Sequence, residues 1–350
     1  MPSVLNDVLI GDDDWLFAYQ GTNFMHNILQ GQSALTDEQI ESWKTILEQR
    51  KAFCAAMKTG GAGGAEYHFI ILPLKHCVYP EKLPGYSISE NRPALQLQKH
   101  TLAKYPLQFF QDLKKQKDCY YQYDTHWNDF GTDEFYAKVL KQKCASSSAL
   151  EPFQAVPLHD LWVKIRKEPC PKTLCYHYTQ NNIIYYNKIE NIGGLIICEN
   201  KAHPQHVGVI FGDSFSRFSI NTISQYFSHL FFFQTTGFDT DILKRIQANV
   251  VINCHAENFI HSAEEIRFQS YFEALLYKFL ISGKETSLQQ NDLLQYSLFM
   301  PEEQIEILQE IILLFKKPQF TRDHIIAYLC KEHGMDKDKL IKLVSHKKVA

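Results

Sequence analysis

Val207-Gly208-Val209-Ile210-Phe211-Gly212-Asp213-Ser214-Phe215-Ser216 is the stretch on which the reading turns. Residues 207–211 have strand character and run straight into Gly-Asp-Ser, after which a helical pattern begins. A serine at such a junction stands at the carboxyl edge of a sheet, where free N–H groups at the helix start can stabilise a developing oxyanion. Gly212 lets the backbone turn tightly and approach a substrate.

Alone, Gly-Asp-Ser is an ordinary turn, and a serine hydroxyl is a poor nucleophile at neutral pH until a base takes its proton. The candidate base lies in Asp124-Thr125-His126-Trp127. Asp and His two residues apart in an extended or turn segment project to one side. The carboxylate can then accept from one ring nitrogen and leave the other facing Ser214. An isolated Asp-x-His is more simply a capped turn with a solvent-facing histidine. Paired with the strand end at Ser214, it becomes a candidate Ser214, His126, Asp124 triad.

Outward from Ser214, a helix over 215–227, a strand over 230–234, a helix over 240–247 and a strand over 250–254 alternate. That order predicts an α/β fold with a mostly parallel sheet flanked by helices. Upstream, Thr36 and Gln39 form a capping box, and Ile40, Trp43, Leu47 and Cys54 recur at helical spacing, so a helix is expected over 37–58. The glycine-rich 60–64 segment ends it, and a buried strand follows over 67–74. Residues 93–117 show mixed helical periodicity. Thr132, with Asp133 and Glu134 behind it, predicts a helix start. Short strands are expected at 183–186 and 195–198.

From Ser262 and Glu265, a second capping box, the pattern turns all helical: 263–281, 301–315, 322–333 ahead of Gly334, and 337–344. The expected division is a catalytic domain over 1–261 and a C-terminal helical module over 262–350.

Composition narrows the function classes. Among 350 residues, 36 basic side chains against 39 acidic ones leave no field to gather nucleic acid or anionic lipid. The nine cysteines are odd in number and scattered, matching neither a disulfide framework nor a zinc pattern; even the closest pair, Cys170 and Cys175, has no flanking ligand cluster. The first residues carry Asp7, Asp12, Asp13 and Asp14 and read as no signal peptide, and no run is apolar enough to span a bilayer. A cytoplasmic protein without a bound metal or transmembrane segment is expected.

Four blocks in this order resemble the SGNH-hydrolase-like domains of bacterial alginate O-acetyltransferases and related polysaccharide acetyltransferases. They are Gly11 with Trp15-Leu16-Phe17; residues 71–84 with Pro73, Lys75, Tyr79, Pro80 and Leu83-Pro84; Asp124-Thr125-His126-Trp127 followed by Gly131; and residues 211–216. The resemblance implies the SGNH-type fold and gives Asp124 and His126 to the triad ahead of Ser214. Two features depart from it. Family members are commonly exported or membrane-anchored, and where the family often shows Glu-Arg after its last core strand, this chain reads Glu257-Asn258.

Asn253 and His255, at the end of the last strand, are candidates with Gly212 for oxyanion or substrate contacts, although a satisfied loop role is the plainer reading for both. Trp127, gathered with Tyr120, Tyr121 and Tyr123 beside the proposed base, is a candidate sugar platform, with core packing as the default for these aromatics. Asp213 is expected to brace its turn, Ser216 to bond at the helix start, Arg217 to lie on the surface, and His203 and His206 to be loop histidines. The expected activity is O-acetyl transfer through a Ser214 acyl-enzyme to a sugar hydroxyl of a bacterial surface glycan, capsular or exopolysaccharide, with acetyl-CoA as donor. The alternatives are an esterase or deacetylase using water, and a catalytically idle glycan-binding module whose C-terminal helices carry a partner protein.

Overall fold

The computed structural model describes residues 3–20, 24–57, 63–141, 150–166, 168–203, 206–260, 270–282, 292–317 and 320–345. Its strands are β1 (Ser3–Leu5), β2 (Val8–Ile10), β3 (Leu16–Ala18), β4 (Glu66–Leu72), β5 (Glu151–Ala155), β6 (Thr173–His177), β7 (Ile183–Tyr186), β8 (Leu195–Glu199), β9 (Val207–Gly212), β10 (His229–Gln234) and β11 (Val250–Ala256). The central sheet has six strands in the order β4-β11-β9-β10-β8-β7. Its first four run parallel, and β8 and β7 continue it antiparallel. The fold is the α/β architecture, a mostly parallel sheet flanked by helices, expected from the alternation.

The core strands are apolar almost throughout because both sheet faces are covered. Alternation along β9 and β11 sends Val209, Phe211 and Val251 to one face and Ile210, Ile252 and Cys254 to the other. The first face packs against helices Tyr271–Ser282, Glu302–Phe315 and Arg322–His333 through Leu275, Leu308, Ile311 and Leu329. The C-terminal helices that the sequence sets apart at residue 262 therefore share an apolar cluster with the sheet. The second face meets Phe110, Tyr120, Trp127, Phe135 and Tyr226, and here the candidate site lies. Helix Asp37–Ala56 covers β4 with Trp43 and Leu47 against Phe69 and Ile71.

Local signals act as the sequence suggests at several places. The Thr36–Gln39 capping box forms with both of its hydrogen bonds, and helix Arg322–His333 ends at Gly334 with φ +62°, a conformation that suits glycine. The helix expected to start at Thr132 instead runs Asp129–Val139. Asn128 caps it by accepting from the Gly131 N–H at 2.9 Å, and a cap of this type placed four residues before Thr132 wins the start. The helix expected over 215–227 is two short ones, Ser214–Phe218 and Ile220–Ser224, broken at Ser219, where Ser, Asn and Thr compete for backbone bonds. The Ser262–Glu265 box, most of the Gly60–Gly64 segment, Cys144 and the tail from His346 lie outside the described residues.

Candidate active site

Ser214 opens helix Ser214–Phe218 at the carboxyl end of β9. The turn is held by Asp213, whose carboxylate accepts from the Phe215 N–H at 2.9 Å and from the Ala256 N–H, past the end of β11's pairing with β9, at 2.6 Å. Asp213 thus ties the Ser214 turn to the neighbouring strand, as a bracing residue would. Burial pushes its carboxyl up to about 6 despite those two N–H groups. Gly212 sits at a close approach. A Cβ there would stand 3.0 Å from the Cys254 carbonyl oxygen and 3.1 Å from Ser216 Oγ. Ser216 itself is fully buried against it, a packing role in place of the expected helix-start bond.

His126 reaches Ser214 from a loop 88 residues earlier in the chain. Its Nε2 lies 2.8 Å from Ser214 Oγ, and its Nδ1 lies 2.6 Å from Asp124 Oδ1. The same Asp124 oxygen accepts the His126 backbone N–H at 2.9 Å, and the other accepts the Asp160 N–H at 2.8 Å. Burial pushes the Asp124 carboxyl up, but the hydrogen bonds and charge of His126, helped by the Asp160 N–H, outweigh it and hold the acid well below the usual carboxylate range. An ionised Asp124 keeps the proton on Nδ1 and leaves Nε2 free to take one from Ser214.

Two residues that local spacing does not reveal complete the loop. Asp160 accepts from the Thr125 N–H at 2.9 Å and from Thr125 Oγ1 at 2.8 Å, gripping the residue between Asp124 and His126. Asp124, His126 and Asp160 offer ligand atoms within 4.8 Å of one another, but the Asp124 oxygens and both ring nitrogens are already engaged with protein partners. Lys75 is buried and spends its ammonium on the carbonyls of Tyr121 at 3.0 Å, Gln122 at 3.1 Å and Asp124 at 2.6 Å. Burial pulls the amine down to about 7, against the opposite pull of Asp124 and Asp160. Its ammonium also lies 5.6 Å from the Trp15 ring centroid and 5.0 Å from that of Phe17. The Trp-Leu-Phe segment therefore reaches the site through Lys75. A lysine inside the apolar 69–79 run was the signal available for it.

The substrate-contact candidates fare differently. Ile252 and Cys254 share the face of Phe215 and Trp127, so Asn253 and His255 point to the opposite one. Asn253 is fully buried there, accepting from Tyr67 Oη at 3.0 Å and donating to the Gly237 carbonyl at 3.2 Å. His255 is buried beside Phe69, and burial with the Arg50 charge pulls its imidazole down to about 3. Neither is positioned as an oxyanion donor. Trp127 has no exposed surface and donates its indole N–H to the Phe215 carbonyl at 2.8 Å, so it is a core strut between loop and helix and no sugar platform. Arg217, expected on the surface, is largely covered between Tyr186 and Phe218. The arginine absent beside Glu257 is supplied from elsewhere. Arg92 Nε pairs with Glu257 Oε1 at 2.7 Å in the interior.

Residues 8–157 match a family model described as the SGNH hydrolase-like domain of acetyltransferase AlgX. Among solved structures, the chain is similar to Bacillus cereus PatB1 with a sulfonyl adduct (15% identity, TM-score 0.53), over 77% of this chain and 100% of that one. It is also similar to a DHHW family protein from Eubacterium siraeum (12% identity, TM-score 0.55), over 77% of this chain and 97% of that one. At such identities the likeness is one of fold. No curated protein matches the sequence. Among the described residues, no helix is long and apolar enough to cross a membrane.

Proposed function

We propose that this chain, which carries an SGNH hydrolase-like domain of the AlgX acetyltransferase type, is a serine-dependent O-acetyltransferase acting on a bacterial surface glycan. One observation carries the reading: Asp124, His126 and Ser214 form an unbroken hydrogen-bonded relay at a strand-to-helix edge. Ser214 Oγ attacks the donor's acetyl carbonyl as His126 Nε2 takes its proton, and the bond to the donor's leaving group breaks as that group receives the proton back. The Ser214 N–H, at the first position of its helix and so with no acceptor inside it, is the donor we assign to the oxyanion. A sugar hydroxyl then gives its proton to Nε2 and attacks the acetyl carbon, and Ser214 leaves reprotonated.

Acetyl-CoA is the donor we assign, in a cytoplasmic setting. The reading is supported by eight free thiols among the described cysteines, seven of them buried, as suits a reducing compartment. The test follows a chromogenic acetyl ester with and without an oligosaccharide acceptor, reading hydrolysis and transfer by mass spectrometry. Ser214→Ala should lower both by about 10³-fold or more. A sulfonyl fluoride should label the wild type and spare this variant. Acetate release without sugar acetylation would favour an esterase, and a Ser214→Ala protein as active as wild type would end the catalytic reading.

Lys75→Met should lower kcat about 10²-fold with KM little changed, because a loosened loop misplaces both Asp124 and His126 by a fraction of an ångström or more. Steady-state ester hydrolysis reads this directly. Unaltered kcat would mean that the three carbonyls hold the loop without their ammonium.

A further inference from the structure

Helix Ser214–Phe218 sets Ser214, Arg217 and Phe218 on one face, at i, i+3 and i+4. The consequence appears at His126, which meets two phenylalanines from this helix. The Phe215 and Phe218 ring centroids each lie 4.8 Å from the imidazole. They differ in exposure. Phe215 belongs to the core at 4%, whereas Phe218 keeps 46% of its surface open beside the catalytic base. An aromatic ring left in water at this place is not explained by core packing.

Nor is the ring loose. The Arg217 guanidinium lies 5.5 Å from the Phe218 centroid and 5.4 Å from that of Tyr186, and it donates to the Tyr186 hydroxyl. Glu190 stands 4.0 Å from the same guanidinium. The Arg217 cation is therefore held between two rings, bracing Phe218 against a fixed wall. The wall comes from β7, far in sequence from both halves of the triad.

We infer that Phe218 is the acceptor platform: the C–H face of a pyranose ring stacks on its open surface and brings a sugar hydroxyl to His126 Nε2. This rests on the transferase reading above and assigns the acceptor subsite within it. Stacking covers the apolar ring and displaces water from the side of the acyl-enzyme where hydrolysis would compete. Arg217 and Tyr186 act as positioning residues, since they reach the sugar through the ring they hold.

The experiment uses the full chain with 4-nitrophenyl acetate as donor and a panel of neutral and acidic hexose pentasaccharides as acceptors. Wild type, Phe218→Ala and Phe218→Trp are compared for acceptor KM and for the ratio of transfer to hydrolysis. Phe218→Ala should raise acceptor KM and lower the ratio by roughly tenfold, the scale of one aromatic contact, and Phe218→Trp should preserve both. Transfer by the wild type with an unchanged ratio and KM in Phe218→Ala overturns the platform alone. Equal loss of hydrolysis and transfer in Phe218→Ala, with KM unmoved, also overturns it, since the ring would then only prop the imidazole. Hydrolysis without transfer to any acceptor in the wild type overturns the transferase reading and the platform together.

Discussion

Asp124→Asn should cost Ser214-dependent turnover about 10³- to 10⁴-fold while leaving the fold in place. The carboxylate faces donors on both sides: the His126 ring and backbone N–H groups on Oδ1, and the Asp160 N–H on Oδ2. An amide can satisfy only one side. If its oxygen turns to Asp160, its NH₂ meets Nδ1 and forces the imidazole proton onto Nε2, where it blocks removal of the Ser214 proton. If its oxygen turns to His126, the NH₂ opposes the Asp160 N–H, and the negative charge that stabilises the imidazolium is gone. The measurement is kcat for ester hydrolysis beside a thermal melt. A variant within about tenfold of wild type would show that Asp124 does not set the tautomer.

The same depressed carboxyl fixes the sign of a pH effect. Its folded-state pKa lies below the unfolded value of about 3.9, so its stabilisation is fully present above that value and fades as pH falls through the folded one. Asp124 therefore adds no ionisation to the activity profile near neutral pH. Any limb found there belongs to other groups.

The meeting of Asp124, His126 and Ser214 was legible in the sequence because each half announces itself locally. Gly-Asp-Ser follows five strand residues, and Asp and His stand two apart, so short-range geometry carries the signal. What faces what across the sheet was less legible. Asn253 and His255 occupy the right strand end, yet strand pairing sends them to the face opposite Phe215, and one residue of register decides the matter. Asp160 and Arg92 were hidden for a different reason. Their partners, Asp124 and Glu257, are 36 and 165 residues away, and no periodicity encodes such a contact. Phe218 carries no local mark in the sequence, and only its exposure beside His126 sets it apart.

Arg92→Met should destabilise the fold by about 3–5 kcal/mol, the usual result of stranding one member of a buried ion pair. Glu257 has no exposed surface and Arg92 is 2% exposed. Beyond the pair itself, Glu257 Oε2 accepts from Tyr105 Oη at 2.7 Å, Arg92 Nη2 donates to that hydroxyl at 3.2 Å, and Arg92 Nη1 donates to the Ser89 carbonyl. Removing the guanidinium leaves a carboxylate in the interior with one tyrosine hydroxyl and the Cys77 thiol. The double variant Arg92→Met, Glu257→Met removes both charges and should recover most of the loss, because apolar side chains of similar volume replace a buried pair at little net cost. Urea titrations of the two single variants and the double close the cycle. A loss below about 1 kcal/mol in Arg92→Met, or a double variant costing the sum of the singles, would mean the charges are not coupled. The outcome bears on the site, since Glu257 follows Ala256, whose N–H holds Asp213 and with it the turn that presents Ser214. Partial recovery of activity in the double variant, alongside its stability, would place that turn under the control of this buried pair.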